Sequence, residues 1–581
     1  MWPGCNSSGD TVHRLTRQHP KGGLPRMRIG RVPLPMRCPL FPAFNMTYDY
    51  IIVGAGSAGS ILADRLSESG RHTVLVLEAG GRNRSPWMRL SGGFARLHRH
   101  HASRWMYHST PQPALGGRTL HAPRGKGLGG SGSINTMIYV RGQQKDFDDW
   151  TAADNEGWSW HDLLPYFRKL ETHPLGNTAY HGGDGPIRVS SLRGAMDPIS
   201  ERFLAGCGEL GYPHSSDFNG PDFEGAGIYD LNIHRGERSS SGVASLRPAM
   251  GRDNVRVEVG TTVEHLLIDA EKRVVGVRVR KRGRLLDFHV RREVILSAGA
   301  VGSPQILELS GIGDQARLHE LGISTIHHLP AVGERLQDHL CASFEYATNL
   351  PADADQSAWF GRVKARLSYM LGRTGPLSSG MNPSGGFFRG DDGEAMPNLQ
   401  LYVHPQWQGL AAHGPVAMSH GLPSGFLVRF HACRPTSRGS VHIVSRRAED
   451  APHIDPNYLS TDKDIEEAIQ GGHLVRRIMQ APALRAITRR EILPGAQVQS
   501  DADVLAYFRE ASASMHHLCG SCAMGGDPAR SVVDRLLKVH GLRGLRVVDA
   551  SIFPNITSGP IHAASMIVAE KGAALILREA A

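Results

Sequence analysis

The segment Gly54-Ala-Gly56-Ser-Ala-Gly59 limits what this chain can fold into more than any other. It follows the short apolar run Tyr50-Ile-Ile-Val53 and opens a stretch, Ser57 to Ser69, with helical spacing. Thr73-Val-Leu-Val-Leu77 then reads as a second buried strand. Strand, glycine loop, helix and strand make a βαβ unit. In such a unit the first glycine permits the turn and the second lets backbone N–H groups approach a pyrophosphate. The third lets the helix pack on the sheet. The helix N-terminus adds partial positive charge. Glu78 ends the second strand, where a carboxylate can accept hydrogen bonds from a ribose diol. The unit therefore predicts a bound dinucleotide and disfavours NADP, but by itself it does not separate NAD from FAD.

At 581 residues the chain is too long for one hydrophobic core, so two or more interleaved domains are expected. Val255–Val259, Val274–Val279 and Phe288–Val290 read as short strands, and Glu293–Ser297 as a separate buried one. Residues 340–430 carry scattered aromatics with many Gly and Pro, and the substrate region is placed there. Residues 462–480 alternate with helical spacing.

The formal net charge is +10, but much of it is local. Arg14, Arg17, Lys21, Arg26, Arg28, Arg31 and Arg37 face only Asp10 within residues 1–45, and the remainder is nearly balanced. A nucleic-acid surface is poorly supported on that distribution. Residues 1–45 lack periodicity and read as a disordered extension or a misassigned start ahead of Met46. A transit peptide and a basic arm are the alternatives. Seven cysteines in this length do not make a disulfide framework, and no apolar run approaches a membrane span. A cytoplasmic protein is expected, peripheral at a membrane at most.

Two longer segments carry a family resemblance. Gly125-Lys-Gly-Leu-Gly-Gly-Ser-Gly-Ser-Ile-Asn-Thr-Met-Ile-Tyr139 resembles the first signature of the glucose–methanol–choline (GMC) oxidoreductases. Gly299-Ala-Val-Gly-Ser-Pro-Gln-Ile-Leu-Glu-Leu-Ser-Gly-Ile-Gly313 resembles the second. Gly333-Glu-Arg-Leu-Gln-Asp-His339 and Arg438-Gly-Ser-Val441 extend the likeness, which is nearest to the choline-dehydrogenase-like branch. The resemblance implies an α/β chain with a Rossmann-like FAD-binding domain and a sheet-containing substrate-binding domain. It divides the chain into an extension at 1–45, an FAD-binding region at 46–340, a substrate region at 341–430 and a C-terminal region at 431–575. It implies FAD contacts at Gly54, Gly56, Ser57, Ala58, Gly59 and Glu78, at Gly129, Gly130 and Asn135, at Val263, and at Asp549 and Ala550. Some relatives link flavin covalently through a histidine in the first signature. Ile134 holds that position here, so non-covalent FAD is expected. Ser303-Pro-Gln-Ile-Leu307 in the second signature reads as a helix start that marks the fold.

Met515-His516-His517-Leu-Cys-Gly520-Ser-Cys-Ala-Met524-Gly525 resembles the family's catalytic segment, and the alignment sets the catalytic histidine on His517. Histidine suits the removal of a hydroxyl proton at neutral pH while hydride leaves carbon for flavin N5. Ser558-Gly-Pro-Ile-His562 resembles the segment that brings a second site residue, and His562 is expected to hold the substrate oxygen. The Cys519-Gly-Ser-Cys522 pair has no second ligand pair at matching spacing, so no metal is expected. The His98-Arg-His-His101 cluster reads as a solvated loop.

The expected reaction is FAD-dependent oxidation of an alcohol to an aldehyde or ketone, with oxygen, a quinone or another carrier as electron acceptor. Choline oxidation and a non-catalytic flavin-binding role are the alternatives. Recognition of choline asks for an aromatic cage and preferably a carboxylate. The relevant stretch reads Pro383-Ser-Gly-Gly-Phe387, with Pro383 at the carboxylate position and His516 where relatives keep an aromatic. A neutral primary alcohol is the better expectation.

Overall fold

The computed structural model describes residues 47–83, 85–91, 101–191, 196–350, 383–405 and 425–580, with positions 367, 369 and 371. The N-terminal extension and His98 to His100 lie outside the described residues, as does the side chain of His101. The βαβ unit forms as its pattern requires. Strand β1 (Thr47–Val53) and the fully buried β2 (Val74–Glu78) pair in parallel, from Tyr50 opposite Val74 to Val53 opposite Leu77. Helix α1 (Ser57–Ser67) connects them, with Gly56 at its N-cap and no side-chain cap. Its first N–H groups are therefore left for a ligand.

Four further strands widen this sheet: β3 (Val255–Val259), β4 (Thr261–Ile268), β5 (Val274–Lys281) and β6 (Arg284–Leu296). The order is β3-β2-β1-β6-β5-β4, and the late strand β7 (Leu545–Val547) joins beside β6. The sequence expectation of two short strands between Phe288 and Ser297 is corrected here. β6 is one continuous strand whose first half pairs antiparallel with β5 and whose second half runs parallel to β1 and β7. Exposed Arg291 and Arg292 stand where the partners change, which is why the apolar pattern breaks although the strand does not.

The second sheet is antiparallel and draws on distant segments. Its order is Thr488–Leu493, Leu340–Thr348, Gly425–Ala432, Leu399–His404, Ser384–Phe388 and Gly225–Ile228. Alternation divides its residues between two faces. Phe344, Val428 and Phe430 point into a core closed by helix α3 (Asp462–Met479), through Leu474, Val475 and Ile478. Cys341, Ser343, Tyr402, His404, Arg429 and His431 occupy the other face. Burying each Phe or Val contributes about 1.5–3 kcal/mol. A one-residue slip would exchange that set for Ser343 and Arg429, so the register is firmly set.

Helix α2 (Gly299–Leu309) packs below the first sheet, and the last helix, α4 (His562–Ala580), lies along α1. Buried Glu570 of α4 accepts from Nε of Arg65 on α1 at 2.8 Å, and Ser57 and His562 meet at the starts of the same two helices. The equal offsets fix α1 and α4 side by side in parallel, with both N-termini at one place. Among the described residues no helix is long and apolar enough to cross a membrane.

Candidate active site

A cavity of about 350 Å³ runs from the glycine loop past Ile134 and Asn135 to His517 and the polar face of the second sheet. Its size falls in the range of small-molecule sites, roughly 300–1,000 Å³. Gly54, Gly56, Ser57, Ala58, Glu78, Gly130, Asn135, Val263, Asp549, Ala550, His517 and His562 all line it. Gly59 and Gly129 stand behind the wall and shape it. A Cβ on Gly59 would lie 1.9 Å from the Gly54 carbonyl oxygen, so only glycine lets the helix start that close to the loop. Gly129 donates its N–H to the Ala55 carbonyl at 2.7 Å, and a Cβ on Gly130 would lie 2.7 Å from Gly56 Cα. The two glycine segments, distant in sequence, are thus packed backbone on backbone.

Glu78 does more than the sequence assigns to it. One carboxylate oxygen accepts from Ala55 N at 3.0 Å, and the other from Gly80 N at 2.7 Å and Gly127 N at 2.9 Å. It ties both glycine segments to the end of β2. A carboxylate has about four acceptor sites, so room for one ribose hydroxyl remains. Burial pushes its pKa up against the pull of those three N–H groups. Asp549 is similarly committed. It accepts from Gly299 N, Ser303 Oγ and both donors of Ser551, joining α2 to the C-terminal return. The sequence reading took the second signature as a fold marker. The structure also puts Ala298 to Gly302 in the cavity wall.

The Gly129–Asn135 loop is held by Arg238, which sequence reasoning missed. Its buried guanidinium bonds the Gly132 carbonyl at 3.2 Å, the Asn135 carbonyl at 2.8 Å and the Asn135 side chain. Burial lowers its pKa to about 9. Ile134 lines the cavity, and its side chain is purely alkyl.

His517 lies in the loop after Ala513–Ser514, a short strand paired with Leu340 and Cys341. That pairing sets the loop against Asp338 and His339. Asp338 accepts from His517 N at 2.6 Å and Tyr458 Oη at 2.6 Å, while His517 Nδ1 lies 2.9 Å from His339 Nδ1. Burial holds the His517 pKa well below the usual range, and His431, His516 and Arg124 add to that effect. The ring is therefore neutral and able to accept a proton. His516 is held at φ 63°, a conformation that costs a non-glycine residue of order 1–3 kcal/mol, and its N–H donates to Ser514 Oγ.

His562 is also neutral, with burial and then Arg238 bringing its pKa to about 4. Its Nδ1 lies 3.2 Å from Ser57 Oγ, while Nε2 is buried without a partner among the described residues. An orphaned buried nitrogen is costly and calls for a ligand. The two histidines share one cavity, and no hydrogen bond joins their rings. The paired helix N-termini, the open face of Gly56, the remaining acceptor site of Glu78 and the orphaned Nε2 together fit a dinucleotide cofactor with a substrate beyond it.

His173, His181 and Asp217 lie close enough to be considered as metal ligands. Yet His181 Nδ1 is 2.7 Å from Glu171 and Nε2 2.7 Å from Asp217, and its ring stacks on His173 with centroids 3.7 Å apart. Burial lowers the His181 pKa, but its two carboxylate partners outweigh that and raise it. A doubly donating imidazolium has no lone pair for a metal. Cys519 and Cys522 are buried free thiols, with burial pushing both pKa values up.

Known proteins resemble this chain over most of its length. Residues 48–341 and 435–569 match the N- and C-terminal models described as GMC oxidoreductase. The chain is 39% identical over 538 residues to an oxygen-dependent choline dehydrogenase of Vibrio vulnificus, covering 92% of this chain and 94% of that one. It is 39% identical over 540 residues to an alcohol dehydrogenase [acceptor] of Pseudomonas putida, covering 92% and 96%. An FAD-dependent oxidoreductase from Chaetomium thermophilum superposes with a TM-score of 0.83 at 28% identity, covering 92% of this chain and 100% of that one.

Proposed function

The chain belongs to the GMC oxidoreductase family and is an FAD-dependent enzyme that oxidises alcohols, and from that premise we propose that His517 is the base and His562 the residue that orients the alcohol oxygen. The observation that carries this is the pair of neutral imidazoles in one cavity, each with Nε2 unclaimed by any described residue. Bound FAD supplies the two-electron acceptor. The alcohol oxygen accepts or donates a hydrogen bond at His562 Nε2, and its proton passes to His517 Nε2. Loss of that proton raises electron density at the carbinol carbon, which makes hydride departure favourable. An aldehyde or ketone remains. Gly54, Gly56, Ser57, Ala58 and Gly130 would hold the pyrophosphate side of the cofactor, with Glu78 and Val263 at its nucleoside end and Asn135, Asp549 and Ala550 along the return.

FAD is held without a covalent link, since Ile134 offers no nucleophile. The reoxidant is oxygen, a quinone or another carrier. A reducing, cytoplasmic compartment is supported by five free, buried cysteines among the described residues. Choline is disfavoured by His516, which lines the cavity at the position where relatives keep another aromatic. Pro383 does not line the cavity, and its carbonyl instead accepts the N–H of Tyr229 at 3.0 Å.

The deciding measurement is anaerobic flavin reduction with a panel of alcohols. His517→Ala should slow reduction by about 10²–10⁴, the contribution of a positioned base, with FAD still bound. A wild-type rate in His517→Ala, with a slowed rate in His516→Ala, would move the base to His516.

A further inference from the structure

The substrate end of the cavity carries a positive charge that no described residue neutralises. Arg429 lies mid-strand in Gly425–Ala432, opposite Ser343 on one side and Tyr402 on the other. Alternation turns it to the polar face of the sheet, away from Phe430 and Val428, and it lines the cavity with Tyr402, His404 and Met515. Its Nε donates to Ser343 Oγ at 3.0 Å, which fixes the plane of the guanidinium. The two Nη atoms make no hydrogen bond and no ion pair with any described residue. They are also not among the enclosed polar atoms, so they reach open space. Arg124 also lines the cavity, but its unpaired Nε and Nη2 are enclosed, which leaves Nη1 alone and no two-pronged fork.

The acids of the cavity wall lie elsewhere. Glu78 and Asp549 are its carboxylates among the described residues, and both are saturated or nearly so by N–H and hydroxyl donors beside the glycine loop and α2. Trp105, an aromatic candidate for a cation cage, already has Lys126 Nζ 3.8 Å above its ring. Among the described lining residues, a quaternary ammonium would meet a guanidinium and no free counter-charge. The Arg429 charge also reaches buried His404, whose pKa is held well down, chiefly by burial.

Resting on the alcohol-oxidation reading, we propose that Arg429 is a specificity-determining residue and that the substrate is an alcohol bearing a carboxylate, held bidentate by the two Nη groups. Planar guanidinium and planar carboxylate match in two parallel hydrogen bonds, and such charge-assisted pairs are about twice as strong as neutral ones. The fork of Arg429 matches one carboxylate in charge and in planar geometry. The oxidation itself is unchanged, and the carboxylate only positions the carbinol carbon.

The test uses purified holoenzyme and three benzyl alcohols that differ in the para group: carboxylate, methyl and trimethylammonium. The rate of anaerobic flavin reduction at low substrate should rank carboxylate over methyl over trimethylammonium, with about ten- to hundredfold between the first two. Arg429→Gln, checked for full FAD content, should bring carboxylate and methyl within a few-fold. Arg429→Lys should keep the order with a smaller span. A wild-type enzyme that prefers the trimethylammonium alcohol, or an Arg429→Gln variant that keeps the wild-type ranking, overturns the proposal.

A second readout separates it from the reading beneath it. The unreactive para-toluate should perturb the flavin spectrum of the wild type and fail to do so in Arg429→Gln. If toluate binds in this way while no alcohol reduces the flavin, the carboxylate subsite stands and alcohol oxidation falls. If the methyl alcohol reduces the flavin while toluate leaves the spectrum unchanged, alcohol oxidation stands and the subsite falls.

Discussion

His517 Nδ1 stands 2.9 Å from His339 Nδ1, and His339 Nε2 stands 2.9 Å from the Cys433 carbonyl oxygen. A carbonyl only accepts, so His339 Nε2 carries a proton. His339 is held well below the usual histidine range, first by burial and then by His431 and His517, so it is neutral and its Nδ1 is an acceptor. His517 Nδ1 must then be the donor. The chain of two imidazoles therefore leaves a bare lone pair on His517 Nε2, the nitrogen that the proposed mechanism uses.

His339 is on this argument a positioning residue. His339→Phe removes the acceptor and should slow flavin reduction by up to about 10²–10⁴, since a base in the wrong tautomer loses its contribution. His339→Gln should recover much of the rate. Its amide N–H₂ can donate to the Cys433 carbonyl and its amide oxygen can accept from His517. The comparison of Phe with Gln, at equal FAD content, is the check. Equal rates in the two variants would reduce His339 to a packing role.

The same buried imidazoles predict how stability depends on pH. His339, His404 and His517 are held well below the ordinary value, and His431 and His562 are near 4, with burial the first cause in each. In the unfolded chain they titrate near 6.5. Between those limits the unfolded state binds more protons, so stability falls as pH drops below about 6.5. His181 and His442 are raised by carboxylate partners and act in the opposite sense, adding stability below 6.5 that is lost as pH rises. His72, His121, His234, His265 and His327 are depressed as well, so ten rings among the described residues stand against two and the histidines give a net fall. The histidines therefore predict a urea midpoint that decreases from about pH 7 to about pH 5, opposed by Asp146, whose carboxyl is raised by burial to about 6 and adds stability as pH falls; a midpoint that moves the other way would contradict the prediction.

Glu78→Gln tests the clasp at the end of β2. Three backbone N–H groups converge on this carboxylate, and an amide that turns its own N–H₂ toward them leaves at least one unpaired. Each such loss costs about 1–3 kcal/mol. FAD affinity should fall by an amount in that range, read by equilibrium dialysis of the flavin. Acid precipitation of the wild type should leave all flavin in the supernatant, because Ile134 cannot form a link. Unchanged affinity in Glu78→Gln, or flavin retained in the pellet, would each refute the corresponding half.

The parts of this fold that the sequence made legible are those whose chemistry sits in a contiguous segment. The glycine loop with Glu78, the first signature, and the histidines 517 and 562 all meet at one cavity as their motifs imply. What escaped were single residues delivered by sheet pairing. His339 stands in a recognised segment, yet its bond to His517 depends on Ala513–Ser514 lying beside Leu340 and Cys341. Arg238 is one arginine among many until its loop closes over Gly132 and Asn135. Arg429 left a weak trace: in Phe426-Leu-Val-Arg-Phe-His431 the even positions are apolar while the odd ones end in Arg429 and His431, as a strand with one polar face would show. The continuity of β6 was hidden because charge at Arg291 and Arg292 marks a change of partners, not an end.

His562 offers the sharpest test of how the cofactor and substrate ends are joined. Its ring is fixed at Nδ1 by Ser57 Oγ, at the start of α1, and a Cβ on Gly132 would fall 2.8 Å from its Cε1. The ring is thus clamped between the glycine loop and the first signature, with Nε2 left for a ligand. His562→Ala removes both bonds and should slow flavin reduction strongly. His562→Asn should retain more activity, because an amide can still donate to the alcohol oxygen. Ser57→Ala keeps the ring but frees its orientation, so its rate should fall between wild type and His562→Ala. Stopped-flow reduction at saturating alcohol gives the three rates directly. If Ser57→Ala and His562→Asn both reduce flavin at the wild-type rate while His562→Ala does not, the ring acts by filling space, and the orienting hydrogen bond must be sought on another residue of the wall.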